Sequence, residues 1–240
     1  MTVSNSADRT GRPLVVAVVP AYNEEEAVGD VVRALKALPE RIHVVVVDDF
    51  STDRTSQVAR AAGATVLRSP FNLGIGGAVQ LGFRYARARG AAVAVQVDGD
   101  GQHPAEQVGA VVAPVLAGDV DVCIGSRFLD GSGDRSTRAR RLGIRWLAIL
   151  VRLRCGREFS DVTSGLRAYG PRALTWLGDH YPDDYPEPQV LAPLVRRGLR
   201  VTEIPVAMRA RAGGRSSIRG LAPIFYMMKV SIAVLLGSMK

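Results

Sequence analysis

The sequence predicts an α/β domain built on a mostly parallel central sheet flanked by helices. Continuous Val/Ile runs recur at 14–20, 42–49, 91–98 and 120–126, and runs without polar alternation belong to strands buried on both faces. Longer stretches rich in Ala, Arg and Leu lie between them, the order in which a parallel sheet is wound. Asp48-Asp49 and Asp98-Gly99-Asp100 close two of these runs, and sheets of this kind bind ligands outside the carboxyl ends of their strands.

The first strand, LVVAVVP (14–20), precedes a helix at 24–37 that Asn23 is placed to cap and whose first turn is acidic. A second strand, IHVVVVDD (42–49), leads to a helix at 53–63 that Gly63 ends. ATVLRS (64–69) is a third short strand, followed by a helix at 76–90 and a fourth strand at 91–98. A helix at 104–117 and a strand at 120–126 continue the alternation. Residues 1–12 are polar and lack an apolar stretch, which argues against a signal peptide and for a disordered tail. The main domain is expected over 13–217, with an apolar helix in 218–240.

At 240 residues, 47% of them hydrophobic, the chain can bury a sizeable core. A net charge of +8, carried mostly by arginine, points to an anionic partner. Aromatic residues make up 6% and do not interleave with basic ones, which argues against nucleic acid. Cys123 and Cys155 stand in no metal-binding or redox spacing and are expected to be free thiols. Gly74, Gly76 and Gly77 precede a helix but give G-x-G-G after the third strand, with no following Lys-Ser/Thr. That disfavours a Rossmann or P-loop site, and leaves either a phosphate at the helix N-terminus or close helix–sheet packing. An esterase elbow, G-x-S-x-G, is absent.

Pro20 to Glu24, Asp48-Asp49 and Asp98-Gly99-Asp100 should gather along one sheet edge. Their charges would repel unless a cation lay among them. Mg²⁺ or Mn²⁺ suits such a place, because it takes few protein oxygens and completes its shell with phosphate oxygens. Capping of the following helices is the competing use of the aspartates. For His103, a local turn hydrogen bond competes with metal ligation.

Read in order, VPAYNEE, DDFSTDRT, FNLGIGGAVQLGF, VQVDGDGQHP, GSRF, SDVTSGLRA and RAGGRSS resemble the motifs of family 2 glycosyltransferases. The subgroup resembled is the dolichyl- and polyprenyl-phosphate sugar synthases. The resemblance implies a GT-A fold and an inverting, metal-dependent hexosyl transfer from a UDP- or GDP-linked sugar to polyprenyl phosphate. It places the enzyme peripherally at the cytoplasmic face of the cell membrane, in cell-envelope glycan synthesis. It implies nucleotide-sugar contacts from Pro20, Tyr22, Glu24, Asp49, Asp98, Arg211 and Ser216, and a metal held by Asp98, Asp100 and Gln102. RAGGRSS, with Gly214 and Ser217, resembles a mobile loop that closes over the donor.

Arg127, Arg138, Arg140, Arg141 and Ser164 are expected to guide the acceptor phosphate, since guanidinium donates two parallel hydrogen bonds to such a group. A phosphate acceptor is already anionic. Asp161 therefore either organises the site or, with a hydroxyl acceptor, serves as general base. Transfer to a saccharide or small-molecule hydroxyl and a non-catalytic binding subunit are the rival readings. Glu187 is placed near the sugar by position alone.

LGIRWLAILVRLRCG (142–156) sets Leu142, Trp146, Ile149, Leu150 and Leu153 at helical spacing beside arginines. This is either an in-plane membrane helix or a core helix. Residues 221–236 carry one charge, Lys229, and are slightly short for a bilayer crossing. Lys229 at the centre of a crossing helix would cost about 3 kcal/mol. The segment is thus expected to lie on the membrane or to dock on a membrane-embedded partner; a homo-oligomer is a further partner expectation.

Overall fold

In the computed structural model, β1 (Val15–Ala21), β2 (His43–Asp48), β3 (Thr65–Arg68) and β4 (Val93–Gln96) run parallel. They are joined in turn by α1 (Val28–Lys36), α2 (Thr55–Ala61) and α3 (Gly74–Ala88). α4 (Glu106–Leu116) leads to β5 (Val122–Ser126), then α5 (Arg138–Cys155) and β6 (Arg167–Tyr169). α6 (Pro171–His180), α7 (Pro186–Arg196), β7 (Val201–Pro205) and α8 (Ala222–Leu236) follow. The seven strands form one sheet in the order β3-β2-β1-β4-β6-β5-β7. The structure describes residues 12–130, 138–184, 186–207 and 222–236; for 138–140, 222–226 and 236 it describes the backbone alone. Outside it lie the expected tail, apart from Arg12, and Arg211, Gly214, Ser216 and Ser217, together with the side chains of Arg138 and Arg140.

Strand alternation divides the core between the two faces of the sheet. From β1, Val16 and Val18 point into one cluster, with Val79 and Phe83 of α3, Leu147 and Val151 of α5, Leu174 of α6, Leu191 of α7 and Val230 of α8. Val15, Ala17 and Val19 point into the other, with Val28 and Val32 of α1, Ala59 of α2 and Val111 of α4. Helices therefore cover both faces, which is why the Val runs lack polar alternation. Within α3, Gly76 and Gly82 serve close packing. A Cβ on Gly82 would sit 2.1 Å from Val18 Cγ1, and one on Gly76 would sit 2.0 Å from the Pro182 oxygen.

Two details differ from the sequence reading. α1 begins at Val28, without a side-chain cap, rather than at 24. Asn23 is instead in the left-handed region, and its Oδ1 accepts hydrogen bonds from the Thr52 N–H and Thr52 Oγ1. It ties two loops together rather than starting a helix. β6 runs antiparallel to both of its neighbours, β4 and β5. Three residues are too few to show a strand period in the sequence.

Candidate active site

The loops after β1, β2 and β3 are laced into one frame. Ala21 pairs with Asp48 across the β1–β2 ladder. The Asn23 N–H donates to Ser51 Oγ, and the Glu24 N–H to Thr55 Oγ1. Asp48 is fully buried, with Oδ1 accepting the Ser51 N–H at 2.9 Å and Oδ2 accepting Ser56 Oγ. Burial alone would raise its pKa; the Ser51 and Ser56 hydrogen bonds and the Arg68 charge outweigh it and hold the carboxyl below its usual range. Asp49 accepts the Leu73 N–H at 2.6 Å and the Gly74 N–H at 2.9 Å. Its carboxylate thus holds the first turn of α3, and burial shifts its pKa upward. Tyr22 stands exposed beside this frame, whereas Pro20 is buried within β1.

Asp98, Asp100 and Gln102 lie beyond β4, next to this frame, as expected from the strand order. Asp100 accepts the Gln102 N–H at 3.0 Å on Oδ1 and Gln102 Nε2 at 2.6 Å on Oδ2. The Gln102 amide donates through nitrogen and keeps its oxygen lone pairs for a cation. His103 is buried; its Nδ1 accepts the Asp98 N–H at 3.1 Å and its Nε2 lies 3.7 Å from Asp98 Oδ2. That is the local turn role. Among the described residues, no three of His, Cys, Asp and Glu cluster closely enough to hold a metal by themselves. Two carboxylates and an amide fit a hard divalent cation that draws its remaining ligands from phosphate and water.

The segment SDVTSG, entering β6, closes over this site. A Cβ on Gly165 would lie 2.9 Å from Asp98 Oδ2 and 3.0 Å from Oδ1, so only glycine leaves room for the carboxylate. Gly165→Ala is expected to displace Asp98 and cut turnover about a hundred-fold with little change in fold, read from kcat and from the Mn²⁺ concentration needed for half-maximal rate. Turnover equal to the parent's would show that Asp98 tolerates the shift.

Arg127 and Asp161 meet as a bidentate pair. Nε donates to Oδ2 at 2.6 Å and Nη2 to Oδ1 at 2.7 Å, while Nη2 also reaches Thr163 Oγ1. Asp161 is fully buried and the Arg127 side chain only 11% exposed. Burial pushes the Asp161 pKa up, but the Arg127 hydrogen bonds and charge prevail and hold it below its ordinary value. Glu203 of β7 supports the turn from behind, accepting the N–H groups of Ser160 and Asp161.

Sequence reasoning missed the centre of this region. Arg167, fully buried on β6, donates to the carbonyls of Ser164, Val162 and Glu187. The one signal was a lone arginine in an otherwise apolar triplet. Glu187, at the start of α7, accepts Gln96 Nε2 at 3.3 Å. Burial, with Asp98 adding to it and Arg167 opposing, raises its pKa.

A cavity of about 730 Å³ opens beside the Arg127–Asp161 pair, between α5 and the loops after β5 and before β6. Phe128, Leu129, Ile144, Ala148, Ile149 and Phe159 give it apolar walls; Arg141, Arg145, Arg152, Glu158, Ser160 and Glu203 line the same space, with Arg152 paired to Glu158.

A family model described as Glycosyl transferase family 2 matches residues 16–174, two-thirds of the chain. The chain belongs to glycosyl transferase family 2. This glycosyltransferase is 32% identical to the undecaprenyl-phosphate mannosyltransferase of Micrococcus luteus, over 86% of its own length and 88% of the relative's. It is 30% identical to the polyprenol monophosphomannose synthase of Mycolicibacterium smegmatis, over 88% and 82% of the two chains. Among solved structures it is similar to glucosyl-3-phosphoglycerate synthase from Mycobacterium tuberculosis in complex with Mn²⁺, uridine diphosphate and glucosyl-3-phosphoglycerate. The TM-score is 0.71 at 26% identity, covering 93% of this chain and 79% of that one. The mixed sheet is accordingly the GT-A fold expected from the sequence.

Proposed function

We propose that the enzyme moves a hexosyl group from a nucleoside-diphosphate sugar to polyprenyl phosphate at a membrane surface. The observation that carries this reading is the apolar, arginine-lined cavity next to Arg127 and Asp161. An isoprenoid phosphate asks for apolar walls and cations together, and this cavity offers both beside Glu158, Ser160 and Glu203. The names of the Micrococcus luteus and Mycolicibacterium smegmatis relatives support the same acceptor class.

Asp98, Asp100 and Gln102 would hold Mg²⁺ or Mn²⁺, and when bound the cation supplies Lewis-acid stabilisation of the departing diphosphate. Asp100 is oriented by Gln102, the Asp98 backbone is held by the His103 ring, and Gly165 leaves room for the Asp98 carboxylate. Arg127, fixed by Asp161, and Arg141 on the cavity wall would present cations to the acceptor phosphate. The attacking oxygen then needs no proton removed. A hydroxyl acceptor would need a base, and Asp161 has both oxygens committed to Arg127 and a lowered pKa.

The helices near the cavity support membrane contact. α5 buries Ile144, Leu147, Leu150 and Val151 and exposes Leu142, Trp146, Ile149 and Leu153, so its core and surface readings both describe the same helix. α8 packs along it through buried Val230 and Val234, and Trp146 Nε1 donates to Ser231 Oγ at 3.0 Å. Met228, Ile232 and Leu235 of α8 are exposed as well. Among the described residues, no helix is long and apolar enough to cross a membrane. Lys229 instead donates to Asp184 Oδ2 at 2.6 Å. Apolar side chains beside arginines suit an anionic bilayer surface. Leu142→Glu with Leu153→Glu is expected to release the enzyme from vesicles containing anionic lipid while leaving its unfolding midpoint near the parent's. Unchanged co-sedimentation would move membrane contact elsewhere.

The decisive experiment incubates the enzyme with Mn²⁺, labelled nucleotide sugars and polyprenyl phosphate. Label in the lipid extract is the expected outcome. Label transferred only to water-soluble hydroxyl acceptors would reject the lipid reading.

A further inference from the structure

The loop after β2 carries an aromatic residue where backbone geometry favours glycine. Phe50 has a φ of 67°, a conformation that bulky L-residues rarely adopt. Its surroundings impose it. The Asp49 carbonyl accepts Asn72 Nδ2, the Ser51 N–H donates to Asp48 Oδ1, the Ser51 carbonyl accepts Arg68 Nη2, and Ser51 Oγ accepts the Asn23 N–H. Strain held in this way concentrates at functional sites. The ring itself is 46% exposed and belongs to neither core cluster.

Phe50 also has company. Among the described residues the exposed aromatics are Tyr22, Phe50, Phe71 and Trp146. Three of these four stand in the loops that follow β1, β2 and β3, which are neighbours in the sheet. No ring contact joins those three, and hydrogen-bonded polar loops lie between them. Separate flat faces in a polar frame suit a small planar ring better than a lipid or a protein surface, which needs a contiguous apolar patch.

We propose that Phe50 stacks on the nucleobase of the donor and so fixes the donor's register against the diphosphate site at Asp98 and Asp100. This rests on the nucleotide-sugar reading above. Because every base has a π-face, the contact adds affinity without choosing between uracil and guanine. Base choice must then come from groups at the ring's edge.

Phe50→Gly removes the ring and relieves the backbone together. Its unfolding midpoint is expected to hold or rise, while its affinity for UDP or GDP with Mn²⁺, by titration calorimetry, falls about ten-fold or more. Phe50→Trp keeps an aromatic face and is expected to bind like the parent. Equal nucleotide affinity in Phe50→Gly and the parent overturns the proposal and leaves the transferase reading standing. Loss of affinity together with a lower unfolding midpoint marks Phe50 as a packing residue and also overturns it. A parent that binds neither nucleotide overturns both readings.

Discussion

Asp100→Ala is expected to lower kcat by about three orders of magnitude or more while the protein stays folded. Carboxylate ligation of a cation that neutralises a leaving diphosphate is worth several kcal/mol in the transition state. Asp100 is 8% exposed, and its carboxylate accepts hydrogen bonds from Gln102 within the same loop between β4 and α4. Asp100 belongs to neither core cluster. The measurements are lipid-linked product formed per unit time, thermal unfolding, and calorimetry with Mn²⁺ plus UDP or GDP. Near-normal turnover would remove Asp100 from the reaction centre.

Arg127→Ala is expected to damage stability and acceptor use together. Breaking a buried ion pair by removing one partner costs about 3–5 kcal/mol, because the other charge stays behind without compensation. At 11% and 0% exposure, Arg127 and Asp161 are shielded enough for that figure to apply. Urea unfolding reads the loss. In the fraction that stays folded, KM for polyprenyl phosphate should rise more than KM for the nucleotide sugar. An unchanged acceptor dependence would make Arg127 a purely structural partner of Asp161. The pair also sets an acid limit. Asp161 has a folded pKa below its unfolded value, so its stabilisation is complete above the unfolded value near ~3.9 and is lost as pH falls through the folded value. Asp161→Asn should flatten that acid limb.

The first half of the molecule was legible in the sequence because its strands are long and nearly uniform in Val. β1, β2 and β4 fall where the apolar runs placed them, and Asp98, Asp100 and Gln102 arrive together at the expected edge. The second half was less legible. β6 is a triplet, and β7 mixes Thr and Glu with apolar residues. Neither presents a period of two long enough to recognise. Motif reading put Arg127 and Asp161 in the site but not on each other, since a sequence does not show which of its charges are partners. Nor does the sequence show that Gly165 lies against the Asp98 carboxylate. Arg167 left only the signal of a lone arginine in a short apolar stretch, and Glu203 left none, because its work is to hold backbone atoms of a turn distant in the sequence.

The antiparallel placement of β6 has a further consequence. Ile124 pairs with Arg167, and the Gly125 N–H donates to the Leu166 oxygen at 2.9 Å. Everything from Arg127 to Gly165, with α5 and the cavity wall, is therefore an excursion that leaves and re-enters the sheet at adjoining points. Inserting, shortening or exchanging such a module barely alters the closure entropy of the chain. Natural variation can rework this segment while the parallel strands β1 to β4 stay as they are.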